Sequence, residues 1–462
     1  MNPMKVSLAQ TIKPELLLKQ RTTKNVATRW FSIVQFSLVA VLMAAPLAFG
    51  AVQVWAWATL AVASTGMLLC WAIGCVRQHA IKISWCPLYL LGGLFILLGL
   101  LQLLTDSTED RIGTREALIK LTTDLLLLFL GGQIFTSASK NVWYRSALGI
   151  TLYTFAFSLF AMIQFFSRPD LIYWTVAPRW GGYIFGPYVN HNHYAGLMEM
   201  LIPIVAAFLL SQPKSQPLRW LIGFAIALSF ASVVLSGSRG GLVSLLVESV
   251  LFGAILLARL HSSKERQSAI LASLALASGM ALFLWVAPAD VFARLGTLLH
   301  SPELSYADRK QISFDSLKVF EKHPLLGTGI GSFETVYPQY QSLATDQIVD
   351  HAHNDFAEAL AETGLTGGLL ILASLVVFFN SLFNSVSSRL QDIRGWVRLG
   401  AGVGCCGILI HSFVDFNLKI PANAAWFAFT LAIATGTLIV QSHGETSELE
   451  TDEAAAYRPR PN

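Results

Sequence analysis

At 462 residues the chain is long enough for two or three soluble domains, but 54% of it is hydrophobic, only 13% is charged and the mean hydropathy is +0.56. Soluble domains carry nearly twice that charged fraction. A thinly spread net charge of +4 excludes a nucleic-acid-binding surface, and five cysteines without a CxxC pair exclude a disulfide or zinc framework.

A helix needs about 20 apolar residues to cross a hydrocarbon core of about 30 Å. The opening segment, 1–30, carries Lys5, Lys13, Lys19, Arg21, Lys24 and Arg29. The first apolar run follows at 31–50 and reads as a signal anchor, not a cleavable leader. Further runs lie at 54–75, 86–104, 121–138, 146–166, 193–211, 219–236, 241–258 and 269–288. Together these make nine spans within 31–288, before a long polar segment at 289–360. Spans at 365–385, 397–415 and 422–441 fill the region 361–441, and an acidic tail at 442–462 ends the chain. The expected fold is an all-α polytopic membrane protein of about twelve transmembrane helices with one large loop. Within that loop, residues 306–322 set Ile312, Phe314, Leu317 and Phe320 among charges. That spacing predicts an amphipathic helix lying on the membrane surface or packed on the bundle.

Lys and Arg in short loops set orientation. After the basic N-terminal segment, every second loop is basic: Arg77 and Lys82, Lys140 and Arg145, Lys214 and Arg219, Arg259 with Lys264 and Arg266, and Arg389 with Arg394 and Arg398. Twelve spans put all of these, and both termini, on the cytoplasmic side. The opposite face receives the loops around 105–120, 167–192, 236–240, 289–360 and 416–421.

Four polar clusters fall on that opposite face. Asn190, His191, Asn192 and His193 open the sixth span. Ser236-Gly-Ser238-Arg239-Gly-Gly241 forms a tight turn between the seventh and eighth spans. Arg309 lies in the large loop, ahead of the glycine-rich stretch from His323 to Ser332. His351, His353, Asn354 and Asp355 lie where the loop re-enters the membrane. An arginine in a glycine turn offers a permanent planar donor fork suited to phosphate oxygens. The plainer reading, an arginine snorkelling to lipid head groups, runs against the orientation rule for Arg239. For Arg309 the plainer reading, a solvated helix face, has more weight. His353 has the chemistry of a general base towards a hydroxyl, with Asn354 or Asp355 available to orient it. Two His-x-His pairs also raise a metal site. However, imidazoles two residues apart diverge on a helix, so the reading here is no metal and no cofactor. Gly327-Thr-Gly-Ile-Gly331 lacks the strand, helix and acidic residue of a dinucleotide site. Tyr173, Trp174, Trp180 and Tyr183 read as an interfacial aromatic belt. The mid-span positions read as almost purely apolar, which argues against a transporter.

In this order the clusters resemble the bacterial O-antigen ligase superfamily, over roughly residues 180–375. Ser236-Gly-Ser-Arg239-Gly resembles the family's Ser-Arg-Gly turn. Arg309 resembles its second arginine, ahead of a Pro-Leu-Gly-x-Gly segment. His353-Asn354, nine residues, Gly364, two residues, Gly367 matches the ligase His-Asn pattern. The resemblance implies a metal-independent, inverting glycosyltransferase of the bacterial inner membrane, working on the periplasmic face. Its donor would be a glycan on undecaprenyl pyrophosphate, and its acceptor lipid A–core or another glycan. It further implies Arg239 and Arg309 on the pyrophosphate and His353 as the base. Asn190, His191, Asn192, His193, Ser238, His351, Asn354 and Asp355 are read as lining the substrate, and Arg239, Arg309 and His353 should meet at one cavity open to the outer leaflet. The extra histidine His351 and the Asn-His-Asn-His run depart from the family pattern. A polysaccharide polymerase is the nearest rival, followed by a protein O-oligosaccharyltransferase.

Overall fold

The computed structural model describes residues 14–78, 82–178, 183–259, 306–344, 348–388, 390, 392–436 and 438–441. The expected span at 269–288, the first part of the large loop and the acidic tail lie outside these residues. So does Trp180 of the expected aromatic belt.

The architecture is all-α and polytopic. The helices are α1 (Pro14–Leu47), α2 (Val54–Gln78), α3 (Pro87–Leu104), α4 (Arg111–Thr136), α5 (Lys140–Ser167), α6 (His191–Ser211), α7 (Leu218–Ser236) and α8 (Arg239–Arg259). They continue as α9 (Tyr306–Lys322), the single turn α10 (Phe333–Val336), α11 (Asp355–Ser388), α12 (Ile393–His411) and α13 (Pro421–Thr435). Among the described residues, ten helices are long and apolar enough to cross a membrane. Each of the eleven expected spans that fall on described residues contains a long helix, although not every span is helical to its end.

Helix ends depart from the hydropathy boundaries where capping chemistry intervenes. α4 starts ten residues before the expected 121, because Asp110 Oδ1 accepts from Ile112 N at 3.0 Å and Gly113 N at 2.8 Å. Much of the expected outer loop at 105–120 is therefore helix. α13 stops at Thr435, not 441, where Gly436 turns at φ 60°. Leu438–Gln441 (β2) then pairs antiparallel with Lys82–Trp85 (β1). β-branched Ile439 and Val440 favour that extended path.

α6 is the central helix, 78% buried across its span. It packs on α12 through glycines: a Cβ at Gly400 would stand 2.5 Å from Pro203 O, and one at Gly404 2.7 Å from Met200 O. Small residues at four-residue spacing let membrane helices approach closely. Two charged side chains in this packing correct the expectation of apolar mid-spans. Glu199 of α6 is 0% exposed and Glu248 of α8 is 2% exposed.

Contacts between distant loops show which helix ends lie together. Tyr173 donates to Leu47 O, and Tyr188 packs on Gly50. Glu109 N donates to Thr328 O at 2.9 Å. Asp355 N donates to Ser412 O at 2.9 Å. These gather the ends of α1, α3, α5 and α12 with the 306–354 segment at one end of the bundle. At the other end, Lys140 pairs with Asp392 at 3.8 Å and Arg398 lies over Trp143.

α9 is a helix, as expected, but its buried face differs. Ile312, Asp315, Ser316 and Val319 face inward, at i, i+3, i+4 and i+7. Phe314 and Leu317 are exposed at 51% and 38%. The buried face is polar at its centre because Asp315 binds neighbouring groups. It takes Ser342 N at 2.9 Å and Lys318 at 2.7 Å, which hold its carboxyl below the usual range although burial pushes the other way.

Candidate functional site

The turn after α12 organises the polar groups at this end of the bundle. It runs His411-Ser-Phe-Val-Asp415-Phe416-Asn417-Leu-Lys419, and Asp415 is fully buried at its centre. Arg309 of α9 reaches across to it. Its Nη1 lies 3.4 Å from Asp415 Oδ2 and donates to Val414 O at 3.2 Å. His353 Nδ1 stands 3.6 Å from Asp415 Oδ1, and His193 Nε2 stands 3.9 Å from the same oxygen. Burial by itself would raise the Asp415 carboxyl. The contact with His353 and the charges of Arg309, His193 and His353 outweigh it and hold the group well below the carboxylate range.

Phe416 is the hub for the imidazoles. His351 stacks on it at 4.4 Å, and His193 and His353 meet it edge-on at 4.8 and 4.9 Å. His191 points elsewhere, against Tyr183 at 4.8 Å. The four histidines therefore do not form one ligand set. Among the described residues, no group of three or more His, Cys, Asp or Glu is placed to hold a metal ion.

His353 has a backbone φ of 48°, in the left-handed region that non-glycine residues seldom adopt. Its neighbours hold that conformation on both sides. Ala352 N donates to Glu358 Oε2 at 2.8 Å, and Asn354 Oδ1 accepts from Phe356 N and Ala357 N at 3.1 and 3.0 Å. Asn354 is thus the N-cap of α11 and not a partner of the imidazole. Asp355 is also engaged elsewhere, with Ser412 Oγ at 2.7 Å and Leu418 N at 3.1 Å. The group that faces His353 is Asp415, which corrects the expected Asn354 or Asp355.

A second network lies beside the first. Lys419 Nζ contacts Glu358 at 2.9 Å and Glu362 at 2.8 Å, while His351 Nδ1 meets Glu358 Oε1 at 3.0 Å. Burial would lower the Lys419 ammonium, but the two carboxylates raise it well above the ordinary lysine value. The same logic raises His351 against its burial, through Glu358 and then Asp350.

Arg239 begins α8. Gly237 ends α7 at φ 72°, and buried Ser238 caps α8 by accepting from Gly241 N at 3.1 Å. Ser238 is thus a helix cap, and the exposed Arg239 stands on the first helical position. The turn sits against the Asp415 segment: a Cβ at Gly240 would be 2.5 Å from His411 Nε2 and 3.1 Å from Val414 Cγ2. Val414 is the residue whose carbonyl accepts from Arg309. Asn190 caps α6 in the same way, accepting from Asn192 N at 2.8 Å, and so aims His193 inward while Asn192 is buried.

The glycine-rich stretch docks this assembly. Gly364 interrupts α11 at φ 60° and ψ −160°, and a Cβ there would stand 2.5 Å from the Leu325 backbone. Only glycine takes that conformation without strain. Thr328 N and Gly329 N donate to Ala361 O and Glu362 O at 3.1 and 3.0 Å. The His323–Ser332 stretch is therefore a backbone clasp, and the glycine of the His-Asn-x9-Gly pattern is the position that admits it.

Asp415, Phe416 and Lys419 were not singled out from the sequence. Their signal was an acidic residue among His411, Ser412 and Asn417 at the end of an apolar run.

No curated protein matches the chain. The family model described as O-Antigen ligase matches residues 224–372, a stretch that includes Arg239, Arg309, His353 and the Gly364 clasp. Over that stretch the chain is similar to the O-antigen ligase family.

Proposed function

We propose that the chain is a membrane glycosyltransferase that moves a glycan from undecaprenyl pyrophosphate to an acceptor hydroxyl. The work would be done at the end of the bundle that holds Asp415, facing the periplasm of the bacterial inner membrane. The observation that carries the reading is the convergence of Arg309, His353 and His193 on the buried carboxylate of Asp415.

In this reading His353 takes the proton of the acceptor hydroxyl. Asp415 faces Nδ1 and stabilises the imidazolium that results. The acceptor oxygen attacks the anomeric carbon from the side opposite the leaving group, so the configuration inverts. Arg239 and Arg309 bind the pyrophosphate and stabilise its charge as the glycosidic bond breaks. A pyrophosphate leaves as a stable anion, so two fixed guanidinium groups stand in for a metal and for a general acid. His351, which shares Phe416 with His353, would flank the acceptor side. Lipid A–core is the acceptor that the His-Asn-x9-Gly match favours.

The test is glycan transfer by the purified protein from undecaprenyl-pyrophosphate glycan in the presence of EDTA. The acceptors are lipid A–core, glycan alone and a peptide. Transfer to lipid A–core that survives EDTA and is lost in Arg239→Ala and His353→Ala is the expected result. Lengthened glycan alone would make the protein a polymerase, and no transfer to any acceptor would refute the reading.

A further inference from the structure

Beneath the site the bundle buries three ionisable side chains that glycan transfer does not use. Glu199 lies on α6, Glu248 on α8 and His411 at the end of α12, with exposures of 0%, 2% and 1%. His411 Nδ1 and Glu199 Oε1 are 2.9 Å apart, which accounts for one Glu199 oxygen. Among the described residues, Glu199 Oε2, both oxygens of Glu248 and the hydroxyl of Ser244 are buried without a hydrogen-bond partner.

These orphaned atoms share one face. Gly241, Ser244 and Glu248 fall at i, i+3 and i+7 of α8. Gly241 lies against Ala195 and Glu199, and a Cβ on Gly407 of α12 would run into Glu248 Oε1. Ser244 stands between those two contacts, inside the seam of α6, α8 and α12. Among the described residues, the other titratable or charged groups of the neighbouring elements can be named. α6 adds His193, α12 adds Cys405 and Cys406, and the turn beyond it adds Asp415. α9 adds Arg309, and α8 itself carries Arg239 at its start. α7 has only Arg219, at its far end.

Charge and hydrogen bonding then point the same way. A protonated His411 balances one carboxylate. With both glutamates ionised, one negative charge would remain in an apolar seam where, among the described residues, no hydrogen bond reaches the Glu248 carboxylate, an arrangement that proteins avoid. One added proton removes that charge. We propose that Glu248, with Glu199, Ser244 and His411, forms a buried proton-binding site that holds one proton on the Glu248 carboxyl. The site underlies the Arg239 turn, because Gly240 rests on His411 Nε2. Its occupancy therefore bears on the packing that supports that arginine. The inference stands on the seam geometry and is independent of the transferase reading.

Two measurements on the full-length protein in nanodiscs test it, using Glu248→Gln as a neutral isostere. The first is thermal unfolding against pH. Raising the pH strips the proton from wild-type Glu248 and leaves an unpaired carboxylate, whereas glutamine does not titrate. The variant should match wild type near pH 4, the ordinary glutamate value, gain on it as pH rises, and exceed its Tm by at least about 2 °C near pH 9. The second is the infrared difference spectrum between the two proteins at neutral pH. It should show the C=O stretch of a protonated carboxyl, shifted by deuteration and missing in the variant. A variant that loses stability at every pH, one that follows the wild-type curve throughout, or a spectrum without that band overturns the proposal.

Discussion

The Nδ1 of His353 stands 3.6 Å from Oδ1 of Asp415, a carboxylate that Arg309 touches through its other oxygen at 3.4 Å. One buried acid therefore lies between the group proposed to take a proton and a group proposed to hold the leaving phosphate. Asp415→Asn keeps the shape and removes the charge, so it should disturb both. The turnover number of glycan transfer is expected to fall by about 10²–10⁴-fold, the range a general base contributes. Measured alongside His353→Ala and the double variant, the losses should be strongly non-additive. Additive losses would separate the two residues.

Arg239 and Arg309 are predicted to differ from lysine in function. A lysine offers a point charge where a planar fork is suited to phosphate oxygens. Arg239 is exposed, so Arg239→Lys should leave the unfolding temperature unchanged while transfer drops by about tenfold or more. Arg309→Lys should lower both, since it also loses the bond to Val414 O. Equal activity of Arg239→Lys and wild type would remove the phosphate role.

Gly364→Ala tests the backbone clasp. The φ of 60° with ψ of −160° is open to glycine alone, and the added methyl would meet the Leu325 backbone. A cost of about 1–3 kcal/mol from backbone strain is expected, before any loss of docking. Thermal unfolding in detergent reads it directly. An unchanged midpoint would mean the clasp opens without penalty.

Lys419 should be worth more to stability than an exposed cation. It contacts both Glu358 and Glu362, each almost fully buried. Lys419→Met leaves two buried carboxylates without their cation, at a cost of about 3–5 kcal/mol. Adding Glu362→Gln should recover part of that loss. A double variant less stable than Lys419→Met would show that Glu362 is held by other groups.

His351 gives the alkaline side of the stability profile near the site. Glu358 and Asp350 raise its folded-state value above that of a free histidine. Its contribution is therefore complete below about pH 6.5, the ordinary histidine value, and is lost as pH rises through the folded-state value. Asp415 works in the opposite sense. Its lowered carboxyl stabilises above about pH 4 and loses that contribution only as strong acid protonates it. Unfolding temperatures across the pH range should show the His351 limb disappear in His351→Gln while the Asp415 limb stays.

Much of the architecture is local and was legible in one dimension. A span must present about 20 apolar residues in a row whatever it packs on. The run from 219 to 236 therefore announced α7 without any neighbour. Loop charge sorted the helix ends correctly enough that the clusters holding His193, Arg239, Arg309 and His353 fall at one end of the bundle. The reading failed where a side chain's task depends on a partner far along the chain. Phe314 and Leu317 looked like the buried stripe of α9, yet Asp315 and Ser316 take that place, because Asp315 is satisfied by Ser342, 27 residues away. Glu199 and Glu248 were passed over among apolar neighbours, because the helix that makes sense of them, α12, lies some 160 to 200 residues further along.

The sequence alone thus determined a polytopic helical architecture, the ends of most described helices and the kinds of chemical group at one end of the bundle, since all follow from composition over a few turns. The tertiary structure assigned those groups their places. It made Asn190, Ser238 and Asn354 helix caps, set Gly364 into a backbone clasp, and placed Asp415 opposite His353 across 62 residues. The physical reason is range. Hydrophobic length acts within one segment, whereas a buried charge is defined by whichever distant donors the fold brings to within hydrogen-bond reach.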